Sequence, residues 1–397
     1  MDTQEPSSTH TRRDWLAGAA ALSLAAVAPS SWATEPGKTL RVGRNHAVKS
    51  LASAAAQARD GMVIEVDAGD YVGDVATWSQ NDLTLRAVGG RVRLMAAGQA
   101  AQGKGLFVTT GERIRIEGFD FNGCIVPDRN GAGIRFERGS LFLRDCSFQG
   151  NENGILTAGD AKARLEIEDC EFGANLPREG RTHNLYVGAI AYLKVTGSYF
   201  HHGQIGHLLK SRAAVNHIFY NRLSDEIGGS ASYELEFPNG GQALVVGNLI
   251  QQSSTTQNPH MISFGAEGYT WPNQELQLIN NTLIDQRPSG GIYLRVSPGP
   301  AKVRLINNVL SGNPSFAGNG YWEQRNNFVV DFDEFVRAMR DDYSLKPDSA
   351  LRGKAIDPGR SATQGGELAL LPSRQYKHPR SSVTLSGPAR HPGAFQT

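Results

Sequence analysis

Four stretches of the chain carry side chains able to do chemistry: "RTHNLYVG" (181–188), "GHLLKSRA" (206–213), "SASYELEFPNGG" (230–241) and "NPHMISFGAEG" (258–268). In each, an aliphatic residue sits among His, Lys, Arg, Tyr, Asn or Glu. Together they offer a proton acceptor, a proton donor and an anion clamp. Removal of a proton beside a carboxylate needs that set: the carboxylate must be neutralised, a base must take the proton, and an acid must protonate the leaving oxygen. Lys210 and His207 are candidate bases. Arg212 is suited to bidentate carboxylate binding, and Tyr186 and His183 are candidate acids. Asn184, Glu234, Glu236, His202 and His260 are expected to line the same face and hold substrate. Glu234 and Glu236 also form a potential acid/base pair for glycoside hydrolysis. A metal held by His183, His207 and Glu234 is geometrically possible, but the spacing matches no metal motif, and no metal ligand is assigned.

Stretches so far apart converge only if the chain repeats. It does. "EGFDFNG", "RDCSFQG", "EDCEFGA", "TGSYFHH", "YNRLSDE", "GNLIQQS", "NNTLIDQ" and "NNVLSGN" recur at intervals of roughly 23 to 33 residues, a solenoid period. A second column holds Ile134, Ile155, Leu185, Leu208, Leu235, Ile262 and Ile292. Each unit has about three short strands with β-type alternation, divided by Gly, Asn and Asp. Such units bury their faces only by stacking coil on coil. The expected fold is therefore an all-β, single-domain, right-handed parallel β-helix. Asn221, Asn248, Asn281, Asn308 and Asn327 form an expected ladder. Cys146, Cys170 and Ser198 continue it as small inward side chains. With Cys124, the three cysteines give no disulfide framework.

The Leu column sets the expected register. It places Asn184, His207 and Glu234 in one outward row, with Tyr186 and Glu236 in the next. It also points Lys210 inward, so a strand end or bulge after Leu209 is expected to turn the lysine out. Residues 173–183 and 266–274 are long turns expected to build a rim.

Residues 1–33 read as an export signal, with twin arginines (Arg12, Arg13), a short Ala-rich apolar run and a small-x-small site at Ser31-Trp32-Ala33. Residues 34–349 are expected to form the solenoid. A capping helix should begin it near residue 50, and a helix over 331–345 should close it. Residues 350–397 are expected to be an irregular tail packed outside. Net charge is +1, which gives no global field for nucleic acid. No later segment is apolar enough to span a bilayer.

The opening helix, "GMVIEVDAGDY", the coil repeats and "DYSLKPDSALRG…GAFQ" resemble the pectate-lyase-like superfamily of right-handed β-helix proteins. The segment "LLKSRAAVNHIFYNRL" is similar to the lyase family that includes alginate lyases and dermatan-degrading chondroitinase. Lys210 and Ser211 match its Lys-Ser pair; Asn216 and Asn221 match less closely. The resemblance implies that Lys210 is the base. Gly203 and Ile205 stand where that family has carboxylate metal ligands, and "ELEFPNGG" replaces its arginine motif. The expected function is therefore an exported, monomeric polysaccharide lyase acting on an acidic polysaccharide in the periplasm or outside the cell. It is expected to need no cofactor, with calcium as the alternative. A glycoside hydrolase, a uronate C5-epimerase and a non-catalytic glycan-binding envelope protein are the other readings.

Overall fold

The computed structural model describes residues 38–176, 182–256, 258–363 and 366–397. The export signal over 1–33 and the middle of the 173–183 turn lie outside these residues. Strands dominate, and every pairing within the two large sheets is parallel. A ten-stranded sheet forms one face; the other two strands of each coil merge into a 21-stranded sheet. The chain is a parallel β-helix, as its period requires.

The interior is a set of stacked columns. Phe121, Phe148, Phe172 and Phe200 lie ring on ring, with centroids 5.0, 4.7 and 4.6 Å apart. This matches the spacing of adjacent strands. At the corner between the two strands of the large sheet runs a polar ladder. Asn221 Nδ2 donates to Asn248 Oδ1 at 3.0 Å, Asn248 to Asn281 at 3.0 Å, Asn281 to Asn308 at 3.1 Å and Asn308 to Asn327 at 2.9 Å. Ser198, Cys170 and Cys146 extend the column, as the sequence predicts: Ser198 N–H donates to Asn221 Oδ1, Cys170 N–H to Ser198 Oγ and Cys146 N–H to Cys170 Sγ. All three cysteines are free and buried. The residue before each rung turns the corner with positive φ, as Asp169, Gly197, Gly247 and Asn280 do. Gly, Asn and Asp tolerate that conformation. Tyr220 adopts it too; its hydroxyl accepts from Ser373 N–H of the C-terminal segment.

The N-terminal cap is the predicted helix, Leu51–Gln57. Ser50 Oγ accepts from Ser53 N–H, and Asp74 accepts from Leu51 and Ala52 N–H. Leu51 and Ala54 are buried against the open end of the core.

The other end departs from expectation. Residues 331–345 form no α-helix. A 3-10 turn, Phe332–Glu334, leads into the strand Phe335–Arg337, and a second, Ala338–Arg340, joins it to Asp342–Leu345, with which it pairs antiparallel. The helical reading would have buried Phe332, Phe335, Val336 and Met339 together. Instead Met339 is 98% exposed, while Phe335, Tyr343 and Leu345 pack on Leu249, Ile284 and Val309. Tyr343 Oη is bonded by Gln251 and Gln286 of the solenoid. Tertiary contacts outweighed the local period. The segment beyond 350 is also more regular than expected. It forms the hairpins Arg360–Thr363/Gly366–Ala369 and Arg374–Lys377/Ser381–Thr384. Leu370 packs on Tyr220, Leu244, Val246 and Ile279. Among the described residues no helix is long and apolar enough to cross a membrane.

Candidate functional site

The four chemistry-bearing stretches become neighbouring strands of the ten-stranded sheet: Leu185–Val187, Leu209–Ser211, Leu235–Phe237 and His260–Phe264. Their register corrects the expected one. Leu209, not Leu208, pairs with Leu185 and Leu235, and Leu294, not Ile292, pairs with Ile262. Lys210 therefore faces outward without a bulge, between Tyr186 and Glu236. Both leucines are buried, so alternation alone could not choose between them.

The slip regroups the candidates. His207 aligns with His183 and Tyr233. The rings of Tyr186, His183, His207, Tyr233 and His260 form a row, with centroid separations of 5.4, 4.7, 5.1 and 5.8 Å. Asn184 and Glu234 leave the row and turn into a buried corner. Asn184 donates to Phe172 O and His201 O and accepts from Asn175; it holds the corner and cannot hold substrate. Glu234 is fully buried, so the trio His183, His207, Glu234 does not form. Among the described residues no three His, Cys, Asp or Glu side chains group as a metal would need. His202 also lies apart, its Nδ1 2.7 Å from His201 Nδ1, in a cleft with Glu226 and Ile227. Ser211 and Asn216 are buried partners of one another at 2.6 Å and close the turn after Lys210.

What remains outward is a chain of charges. His207 Nε2 lies 2.8 Å from Glu236 Oε2, and Lys210 Nζ lies 3.0 Å from the same oxygen. Lys210 Nζ also lies 2.9 Å from Glu267 Oε1. Arg212 donates to Glu267 Oε2 and to the Tyr186 hydroxyl, each at 2.5 Å. Glu267 is the residue that sequence reasoning missed. It comes from the 266–274 turn, whose Trp271 Nε1–H donates to Arg212 O at 3.0 Å. Tyr233 was missed as well, although it stands two residues before Leu235 just as His183 stands two before Leu185.

Burial raises the carboxyl of Glu236, but His207 and Lys210 outweigh it and hold the group below its usual value. Glu267 is likewise lowered, by Lys210 and Arg212 against burial. Both are therefore carboxylates at neutral pH. Burial lowers His183 well below 6.5, with His207, Lys210 and Arg212 adding to it. Its Nδ1 accepts from His207 N–H at 3.0 Å, so the neutral ring carries its proton on Nε2. Burial lowers His207 despite Glu236. A histidine held neutral in the fold but free to charge when unfolded lends stability that is complete above pH 6.5 and lost as pH falls below it. His183→Phe is therefore expected to flatten the pH dependence of the urea midpoint between about pH 7 and 5. An unchanged slope would show that His183 charges freely in the fold.

No family profile matches this chain, and no curated protein matches it. Solved structures do. A pectate lyase, Pel9A, superposes with a TM-score of 0.58 over 85% of this chain and 96% of its own, at 13% identity. The chain shares that fold. The pectin methylesterase PemA of Erwinia chrysanthemi matches at a TM-score of 0.39 and 10% identity, covering 75% of this chain and 90% of that one. ORF18 of Geobacillus virus E2 gives 0.40 and 12%, covering 68% and 53%. At 13% identity the likeness to Pel9A concerns architecture alone.

Proposed function

We propose that this protein is an exported lyase that cleaves a uronate-containing polysaccharide by β-elimination. One observation carries the reading: Lys210 and Arg212 together hold a carboxylate, that of Glu267. Its side chain is 44% exposed and belongs to a rim turn, whereas Glu236 on the sheet is 4% exposed. Glu267 is the partner that can give way. A uronate carboxylate taking its place would be neutralised by Arg212, and its C5 proton would lie over Lys210. With Glu267 displaced, Lys210 releases its proton to solvent; the neutral amine then takes the C5 proton, the C4–O4 bond breaks, a C4–C5 double bond forms, and Tyr186 or His183 protonates the departing oxygen. His207 orients Glu236 beneath the lysine; its own ring nitrogens are buried, which favours Lys210 as the base. In this reading Arg212, rather than a metal, neutralises the carboxylate, and Lys210 acts as the neutral amine.

The test is ultraviolet absorbance of unsaturated ends, using residues 34–397 on a panel of polyuronates with and without chelator. Rising absorbance supports the lyase. A flat trace with new reducing ends would replace it with a hydrolase. One feature favours that second reading: Glu236 and Glu267 both touch Lys210 Nζ, so their oxygens lie within about 6 Å, near the spacing of retaining glycosidases.

Competition by Glu267 makes a further prediction. An exposed ion pair is worth about 1 kcal/mol. Glu267→Ala should therefore lower KM for an anionic polymer about fivefold. A raised KM would mean that Glu267 helps to hold the substrate.

A further inference from the structure

Glu234 is the candidate that the outward site does not use. It precedes the strand Leu235–Phe237 and stands opposite Leu208 and Met261 of the flanking coils. It is fully buried, and neither carboxylate oxygen has a hydrogen-bond partner. Two strand ends of the large sheet meet it. Gln252 and Asp285 are register partners there, 0% and 2% exposed. Gln252 Oε1 and Asp285 Oδ2 also lack any donor. The Gln252 amide faces Glu234 without closing a hydrogen bond; its Nε2 donates to Asn258 O at 3.1 Å.

The next rung differs. Asp225 is equally buried, yet accepts from Gly203 N–H, Ala231 N–H and the Thr256 hydroxyl. That acid is satisfied by the fold. Glu234 and Asp285 Oδ2 are not. Gly291 provides a separate observation. A Cβ there would meet Asp285 Oδ2 at 2.6 Å, Pro259 O at 2.7 Å and Gln252 Oε1 at 3.1 Å. Three oxygens thus gather beside the Gly291 Cα, where any side chain would clash with them.

We propose that this corner binds one hard divalent cation, Ca²⁺ by its chemistry, through Glu234, Asp285, Gln252 Oε1 and the Pro259 carbonyl. Unpaired buried carboxylates are expensive. The Pro259 carbonyl already accepts from Ile292 N–H at 2.7 Å. A single shared proton would satisfy one donor–acceptor pair among the four orphaned oxygens, Glu234 Oε1 and Oε2, Asp285 Oδ2 and Gln252 Oε1, whereas a cation satisfies all of them. Ligands that are all oxygen, mixing carboxylate, amide and backbone carbonyl, suit Ca²⁺ better than Zn²⁺ or Mg²⁺. The ion would tie successive coils together behind the strand that presents Glu236. It does not depend on the lyase reading.

The experiment uses residues 34–397, stripped with EGTA and titrated with CaCl₂ by calorimetry and by thermal melting. One Ca²⁺ per chain is expected, with a melting temperature raised by roughly 5 °C. Both effects should vanish in Glu234→Gln. If the wild type binds no Ca²⁺ the proposal fails, and a Glu234→Gln variant at least as stable would then mark Glu234 as a neutral acid. Binding that survives Glu234→Gln and Asp285→Asn would place the ion elsewhere and also overturn it. Should those variants not fold, Gly291→Ala fills the convergence point with a methyl group. It should weaken Ca²⁺ at least about tenfold, and unchanged affinity would refute the site.

Discussion

Lys210→Ala is expected to lower kcat on a polyuronate by about 10³-fold or more. A general base alone contributes about 10² to 10⁴. The variant keeps Arg212, Tyr186 and the histidine row, so substrate should still bind and KM should change less than kcat. Glu236 retains His207 as a partner at 2.8 Å. The fold should therefore survive, although stripping one partner from a buried charge costs about 3 kcal/mol. Circular dichroism and a urea midpoint separate that cost from loss of chemistry. Lys210→Arg is the sharper comparison. It preserves the charge between Glu236 and Glu267 but offers no accessible neutral form. Activity above about a tenth of wild type in either variant would remove Lys210 from the base role, since even a weak base contributes about 10².

The second large effect concerns stability. Asn248 accepts from Asn221 N–H and Nδ2 and donates to Ile218 O and Asn281 Oδ1. Asn248→Ala leaves four buried groups short of a bond. Asn281 Oδ1 keeps Asn248 N–H and Asn221 Nδ2 keeps Val195 O, so at about 1 kcal/mol for each bond lost the loss is about 4 kcal/mol. That is a large part of a typical domain's stability of about 5 to 15 kcal/mol. The urea midpoint should fall by more than a quarter. Asn248→Asp, which keeps the acceptor and loses the donors, should be as damaging or worse, because it also buries a charge. A shift of less than about 1 kcal/mol would mean that water replaces the amide and that the ladder is not a principal determinant of stability.

Much of the architecture was legible because a solenoid writes each structural column into the sequence many times. The Asn ladder, the cysteines in its column and the capping helix all follow from repetition and local capping. The site was legible only in part. "HLLK" offers two adjacent leucines, both buried, and the one-residue choice between them decides which side chains share a row. Glu234 and Glu236 look alike in sequence; the first meets a corner and the second meets Lys210. Glu267 reaches Lys210 across 57 positions, through a turn with no periodic signal. The 331–345 segment carries a helix-like apolar pattern, yet Tyr343 and Phe335 gain more from the side of the solenoid.

The asparagine ladder has a direction, since every amide donates toward the following coil. A duplicated coil of the length from Asn221 to Asn248 would thus meet its neighbours with the same donors and acceptors that it displaced. The ladder itself can gain or lose whole coils beyond the charged strands without breaking a rung. It cannot do so between Tyr186 and Glu267, where one arginine and one lysine must reach partners on fixed neighbours. For the ladder alone, length is a free variable away from the charged strands and a frozen one across them.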